Sequence, residues 1–525
     1  MYLQGLLFLG TLACTTINTA AQSLTNPIIY SDYPDNDVSV GPDGAFYFSS
    51  SNFHYSPGAP ILRSWDLVNW EPVGHSVPRL NFGSGYDLPS TGERNYRGGT
   101  WASSLRYRKS NKTWYWIGCV NFYQTWVYTA SSPEGPWSNR GNFGDANCFY
   151  DNGILIDDDN TMYVVHDSGQ VKVSQLAADG LSVVKTQDVN INAAAVGVDS
   201  IEGNRMYKIN GTYYVLNDRP GGTTFIWKSQ SPWGPYTVKQ LVKDIKSPLE
   251  GGNSPHQGSL IQTANGQWYF MSFTWAYPSG RLPVLAPITW GTDGFPVFVN
   301  GDNGGWGKTY PLPLPAKSAK PLTGSYKFEG SSLGPTFEWN HNPDTSKFSV
   351  NNGLTLQTAS NTTDIYQARN TLTHRVFGEY PVGTLELDFS AMADGDRSGL
   401  AAFRDRSAYI GIHREGTNYN LVAMHNMTID ETAGNTLDFG RVVGTAPVRD
   451  GVRKIWLRTK MDVRPNGSKE ASFFYSYDGS TYTQLGVAYK LFDSWGFFLG
   501  YRFGIFNFAT KGLGGSVKVS TFTSA

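Results

Sequence analysis

Charge is scarce in this 525-residue chain. Only 16% of residues are charged, and 42 Lys and Arg nearly cancel 43 Asp and Glu to leave a net charge of −1. A protein that holds nucleic acid or an anionic membrane surface needs a basic excess, so neither partner is expected. Cysteine is also rare, with three in the chain. That excludes a disulfide-dense scaffold, and no His/Cys cluster has zinc-site spacing. There is no G-x-S-x-G nucleophile elbow and no phosphate-cradling P-loop. Long apolar runs are missing as well. The run Gly5–Cys14 is too short to span a bilayer. It precedes small residues ending at Ala20 and Ala21, so residues 1–21 are expected to be a secretory signal, although no Lys or Arg precedes the apolar core.

Removal of that segment would take Cys14 with it and leave Cys119 and Cys148, either as one disulfide or as two buried thiols. Sequons for N-glycosylation stand at Asn111, Asn210, Asn361, Asn426 and Asn466, in keeping with an extracellular protein. What the chain has in plenty is aromatic residues, at 14%, and 58 glycines. Aromatics favour strands and glycines favour turns, so the class is all-β.

The first half repeats one phrase, an Asx turn followed by an aromatic strand: PDGAFYFSS (42–50), NKTWYWIG (111–118), DDNTMYVVH (158–166), NGTYYVLN (210–217) and NGQWYFMS (265–272). Such turns between apolar runs signal hairpins. Five recurrences about 50 residues apart predict a five-bladed β-propeller. The segments WDLVNWEPV, SSPEGPWS and QSPWGPYT are expected as outer turns, each closed by an aromatic.

Counting back from the turns brings the chemistry into register. Asp35, Asp151 and Glu202 each lie eight residues before a turn, His256 lies nine before and Trp101 ten before. Innermost strands of a propeller line its channel, so these residues are predicted to ring one end of the axis. Two carboxylates facing a pocket are the equipment of glycoside hydrolysis. One donates a proton to the leaving oxygen and the other activates water or attacks the sugar. A third acid nearby would raise the pKa of the donor. Glu202, with its longer reach and apolar neighbours, suits the donor. Asp37 rivals Asp35 as base but lies six residues before the turn.

Several stretches resemble glycoside hydrolase family 43: NPIIYSDYPDNDVSV, GGTWASSLRYR, NCFYDNGILIDDDNTMYVV, IEGNRMYKINGTYYVLN and SPHQGSLIQT, spread over residues 26–300. The chain is similar in particular to fungal arabinofuranosidases of that family that carry an extra C-terminal sandwich. Asn36 departs from the pattern, standing where many members have a second proline. The resemblance implies that Asp35 is the general base, Glu202 the general acid and Asp151 the residue that orients and tunes the acid. It implies that Trp101, Phe53 and Tyr150 line the sugar pocket, that Arg281 contacts the sugar, and that His256 stands in the channel beside a bound calcium or water. No cofactor is expected for the chemistry itself.

After the Pro-rich stretch YPLPLPAKSAKPLTG (310–324), alternating strands such as GTLELDFSAM and ASFFYSYDGSTYTQLG predict an antiparallel β-sandwich of the concanavalin-like jelly-roll type. The roles open to it are binding polysaccharide, stabilising the propeller by packing against it, and closing one side of the cleft with its edge. The expected organisation is a signal at 1–21, a propeller at 22–315 and a sandwich at 316–525. The expected protein is a secreted monomer that removes arabinose from arabinoxylan or its oligosaccharides with inversion, from O3 of doubly substituted xylose. A β-xylosidase with the same three acids, and a carbohydrate-binding propeller without turnover, are the alternatives.

Overall fold

The computed structural model describes residues 22–144 and 147–525. The expected signal segment lies outside the described residues. These contain no α-helix and only three 3-10 turns, the longest at Ser84–Asp87. Everything else is antiparallel sheet or loop, as the aromatic and glycine content dictates.

Five four-stranded sheets form the first half. Their innermost strands are Asp37–Val40, Thr100–Arg108, Gly153–Ile156, Glu202–Ile209 and His256–Gln262. Each touches the next, and the fifth touches the first, so the ring closes. The chain locks it with a separate pair, in which Ser23–Thr25 runs antiparallel to Thr309–Pro311. The expected outer turns fall between the third and fourth strands of blades one, two and four, where Trp70, Trp137 and Tyr236 are buried.

Residues 312–323 then run along the first blade, where Asp66 and Glu71 accept backbone N–H bonds from Lys317 and Lys320. The sandwich opens at Gly324–Tyr326 and has two sheets, of nine and eight strands. Its own core is built from residues such as Leu385, Leu387, Ile410, Leu457 and Phe503. The eight-stranded sheet ends on a strand that belongs to the propeller: Tyr55–Ser56, from the first blade, pairs with Trp339–Asn340. A second apolar cluster spans the junction, with Phe53, Tyr55 and Tyr96 from the propeller against Tyr366, Phe403, Phe497 and Phe506 from the sandwich. The two halves are therefore one packed body. A buried charge network reinforces it: Glu338 meets His75 at 3.0 Å and also binds Arg375 and Arg502, whose guanidiniums reach Asn52.

Candidate active site

The predicted ring forms. Asp35 and Asp151 stand two residues ahead of the first and third inner strands, Glu202 and His256 begin the fourth and fifth, and Trp101 is second in its strand. The backbone is bent at these points. Asp35 (φ 56°), Asp151 (φ 46°), Gly203 (φ 73°) and Gln257 (φ 53°) are all left-handed. For non-glycine residues that conformation costs of order 1–3 kcal/mol each. Two of the four, Asp35 and Asp151, carry carboxyls that line the cavity at the channel mouth.

Asp35, Asp151, Glu202, His256, Trp101, Tyr150 and Arg281 line one cavity of ≈ 670 Å³. Phe53 is the exception. Its N–H and C=O pair with Thr100, and its ring is 1% exposed, behind the wall, 4.7 Å from the ring of Trp101. It supports the pocket without lining it. The sandwich supplies part of the wall through Trp495 and Phe498, so its loop does close one side of the cleft.

Asp35 is clamped from two sides. Its Oδ1 accepts a 2.6 Å bond from Arg281 Nη1 and its Oδ2 a 2.6 Å bond from Ser51 Oγ. Arg281 is fixed in turn. Its Nε donates to the Phe498 carbonyl at 3.2 Å and its backbone N–H to Asp32 at 2.8 Å, while Asp32 also accepts the Gly500 N–H at 3.1 Å. The sandwich thus holds the arginine that holds Asp35. Asp37 takes no part in the cavity. Burial pushes its carboxyl up, but Arg106 at 2.6 Å and Arg205 at 3.2 Å outweigh burial and hold it below the usual range. It is a strut between blades.

Asp151 Oδ2 accepts the Gly203 N–H at 3.0 Å, which ties it to the peptide following Glu202. Burial, then Glu202 and Asp35, push its carboxyl well above the carboxylate range. Glu202 is raised by burial and by Asp35, against a 3.3 Å bond from Tyr150 Oη and the pull of Arg281. The cluster holds more carboxyls than cations, which favours the protonated forms of Asp151 and Glu202. Tyr150 is also raised, by Asp151 first and then by burial. The bond between Cys119 and Cys148 is formed and anchors the segment carrying Tyr150 and Asp151 to the second blade.

His256 is 2% exposed, and its Nδ1 donates to the Ser254 carbonyl at 2.9 Å. Burial pushes it down to about 4, so the imidazole is neutral with Nε2 free to accept. Among the described residues no group of three His, Cys, Asp or Glu side chains stands ready to hold a metal ion. A calcium at His256 would meet no cluster of three acidic or histidine side chains among the described residues, a poor fit for a cation that takes six or more oxygens.

Sequence reasoning missed Phe498, Trp495, Ser51 and Asp218. The first two come from the other domain and carry no local signal. Asp218, the cross-strand partner of Glu202, was hidden by a bulge. Counting symmetrically about the turn at Asn210–Gly211 places Arg219 opposite Glu202, but the register shifts between Glu202 and Arg205 and moves Asp218 there.

A five-bladed propeller with proton-holding carboxyls at one mouth and aromatic walls around a sugar-sized cavity is the build of a glycoside-cleaving enzyme. The chain belongs to the glycosyl hydrolases family 43, whose sequence pattern matches residues 24–296. Residues 325–524 match the beta xylosidase C-terminal concanavalin A-like domain. A beta-xylosidase of Formosa agariphila is 27% identical over 95% of this chain and 89% of its own. A non-reducing end alpha-L-arabinofuranosidase of Bacteroides ovatus is 27% identical over 82% of this chain and 83% of its own. A solved family 43 enzyme, engineered at its active site to display both endo-xylanase and exo-arabinofuranosidase activity, is 42% identical with a TM-score of 0.91, covering 96% of this chain and 100% of its own.

Proposed function

We propose that this glycoside hydrolase is an exo-acting α-L-arabinofuranosidase that removes arabinose side chains from arabinoxylan by single displacement. Glu202 gives its proton to the glycosidic oxygen as the bond to the anomeric carbon breaks. Water attacks that carbon from the opposite face and passes a proton to Asp35. Asp151 orients the donor through the Gly203 peptide, and burial and Asp35 favour the donor's protonated form. The observation that carries this is the unequal treatment of two carboxyls at one cavity. Asp35 is bound to Arg281 at 2.6 Å, whereas Glu202 has no cation partner and is raised by burial and by Asp35. That is the division of labour an acid–base pair needs.

The arabinofuranosidase assignment is supported by the engineered family 43 enzyme that displays exo-arabinofuranosidase beside endo-xylanase activity, 42% identical across 96% of this chain. Within it, O3-linked arabinose on doubly substituted xylose is the preferred substrate. A secreted enzyme is part of the proposal, and the bond between Cys119 and Cys148 supports it, since such bonds persist in oxidising compartments. A β-xylosidase is the second reading, favoured by the Formosa relative and by the name of the C-terminal domain. Chromatography of the sugars released from arabinoxylan and from linear xylo-oligosaccharides separates the two. Arabinose from the first and nothing from the second is expected, whereas xylose from the second would favour the rival.

A further inference from the structure

Asp218 sits in the strand Thr212–Arg219, directly across from Glu202, and its side chain is 0% exposed. Directly paired residues of antiparallel strands project to the same face, with Cβ atoms about 5 Å apart. Neither of its carboxyl oxygens has a hydrogen-bond partner. Its position is set against Gly203: a Cβ added there would lie 2.1 Å from Asp218 Oδ1 and 2.7 Å from Gln257 Cγ. The carboxyl therefore fills the space that a side chain at 203 would take, while Asp151 grips the N–H of the same glycine.

The charged groups that act on Asp218 are Glu202, Asp151 and Asp35, all acids, and Arg205. Arg205 directs its donors elsewhere, with Nε at 3.2 Å from Asp37 and the terminal nitrogens on the carbonyls of Asn152, Asn204, Asp35 and Asn36. A carboxylate buried without donor or counter-ion is strongly disfavoured, so this one keeps its proton. Burial and the neighbouring acids push it well above its ordinary range.

We propose that Asp218 is a positioning residue for the proton donor: as a neutral carboxyl it packs against Gly203 and steadies the backbone from which Glu202 reaches the leaving oxygen, without adding a charge beside it. This rests on the assignment of Glu202 as proton donor.

The test compares two substrates. A 4-nitrophenyl α-L-arabinofuranoside releases a leaving group that needs little protonation, whereas arabinoxylan needs full proton donation. Glu202→Gln sets the scale and should lose far more on arabinoxylan. Asp218→Ala should lose about tenfold in kcat on arabinoxylan, less than the roughly 10²–10⁴ of a lost general acid because the donor itself remains, with KM unchanged and little loss on the nitrophenyl substrate. Asp218→Asn should stay within about twofold on both and keep the alkaline limb of its pH profile in place, because a neutral group replaces a neutral group. The infrared difference between wild type and Asp218→Asn at neutral pH should show the C=O stretch of a protonated carboxyl, a readout independent of activity.

Equal losses on both substrates in Asp218→Ala would overturn the positioning role. An alkaline limb shifted to lower pH in Asp218→Asn, or an absent protonated-carboxyl band, would overturn the neutral state. Equal losses on both substrates in Glu202→Gln would instead overturn the proton-donor assignment. That leaves the infrared result on Asp218 standing by itself.

Discussion

Two of the buried charge clusters in this protein are balanced in opposite ways. At the channel mouth Asp35, Asp151, Glu202 and Asp218 meet Arg281 and the already engaged Arg205. At the domain junction Glu338 meets Arg375, Arg502 and His75. Where acids outnumber cations, carboxyls keep protons and stay reactive. Where cations outnumber acids, the carboxylate is a permanent charge and its job is to join two domains. Burial alone pushes both sets up, yet Glu338 ends well below the usual range because Arg375, Arg502 and His75 outweigh burial. The partner count decides which buried acid can do chemistry.

The largest expected effect separates the clusters by activity. Glu202→Gln should lower kcat on arabinoxylan by about 10²–10⁴, the usual contribution of a general acid, with no fall in Tm, since it replaces a buried acid with a neutral isostere. Steady-state kinetics and a thermal melt on the same sample check both halves. A matching loss of Tm would show that Glu202 is structural.

The converse change is Glu338→Gln. It leaves two guanidiniums buried without a carboxylate, and removing one partner of a buried pair costs about 3–5 kcal/mol. Denaturant unfolding should show that loss. Activity should fall only as far as the fold does, because Glu338 touches no part of the cavity.

Smaller, and opposite in sign at the two places, is the dependence of stability on pH. His54 is held well below 6.5, His341 is pushed down to about 3 and His374 to about 4, in each case by burial first. The rings of His54 and His341 lie 4.8 Å apart at the junction. A histidine with a depressed folded value stabilises the fold in its neutral form. Its contribution is complete above the unfolded value near 6.5 and is lost as pH falls below it. Glu338 has the same sign, complete above its unfolded value of 4.5 and lost below it. Asp151, Glu202 and Asp218 are raised, so theirs is complete below the unfolded values near 4 and is lost as pH rises. Acid should therefore attack the junction and alkali the mouth. Melts between pH 4 and 9 should show a fall on the acid side that flattens when His54 and His341 are both replaced by Phe, and an alkaline fall that flattens in Asp218→Asn. An acid limb unchanged in the double variant would break the assignment.

The residues gathered at the mouth were largely legible in the sequence, and those joined at the junction were not. Asp35, Asp151 and Glu202 share an offset from a turn because the two innermost strands of each blade are one local hairpin, and local spacing survives into the fold. Glu338, Arg375 and Arg502 are joined to Asn52 and His75 across hundreds of residues, a pairing that no periodicity encodes. The same distance hid Phe498, whose carbonyl anchors Arg281. Phe53 was placed one layer too far inward because its left-handed backbone (φ 52°) and its pairing with Thr100 put its ring behind the pocket wall.

The mouth is proposed to work by one displacement, with Glu202 protonated and water activated by Asp35. Proton NMR of arabinoxylan during the first turnovers tests it directly. Free arabinofuranose should appear first as the β anomer and then equilibrate. The α anomer appearing first, which requires a covalent intermediate, would contradict single displacement.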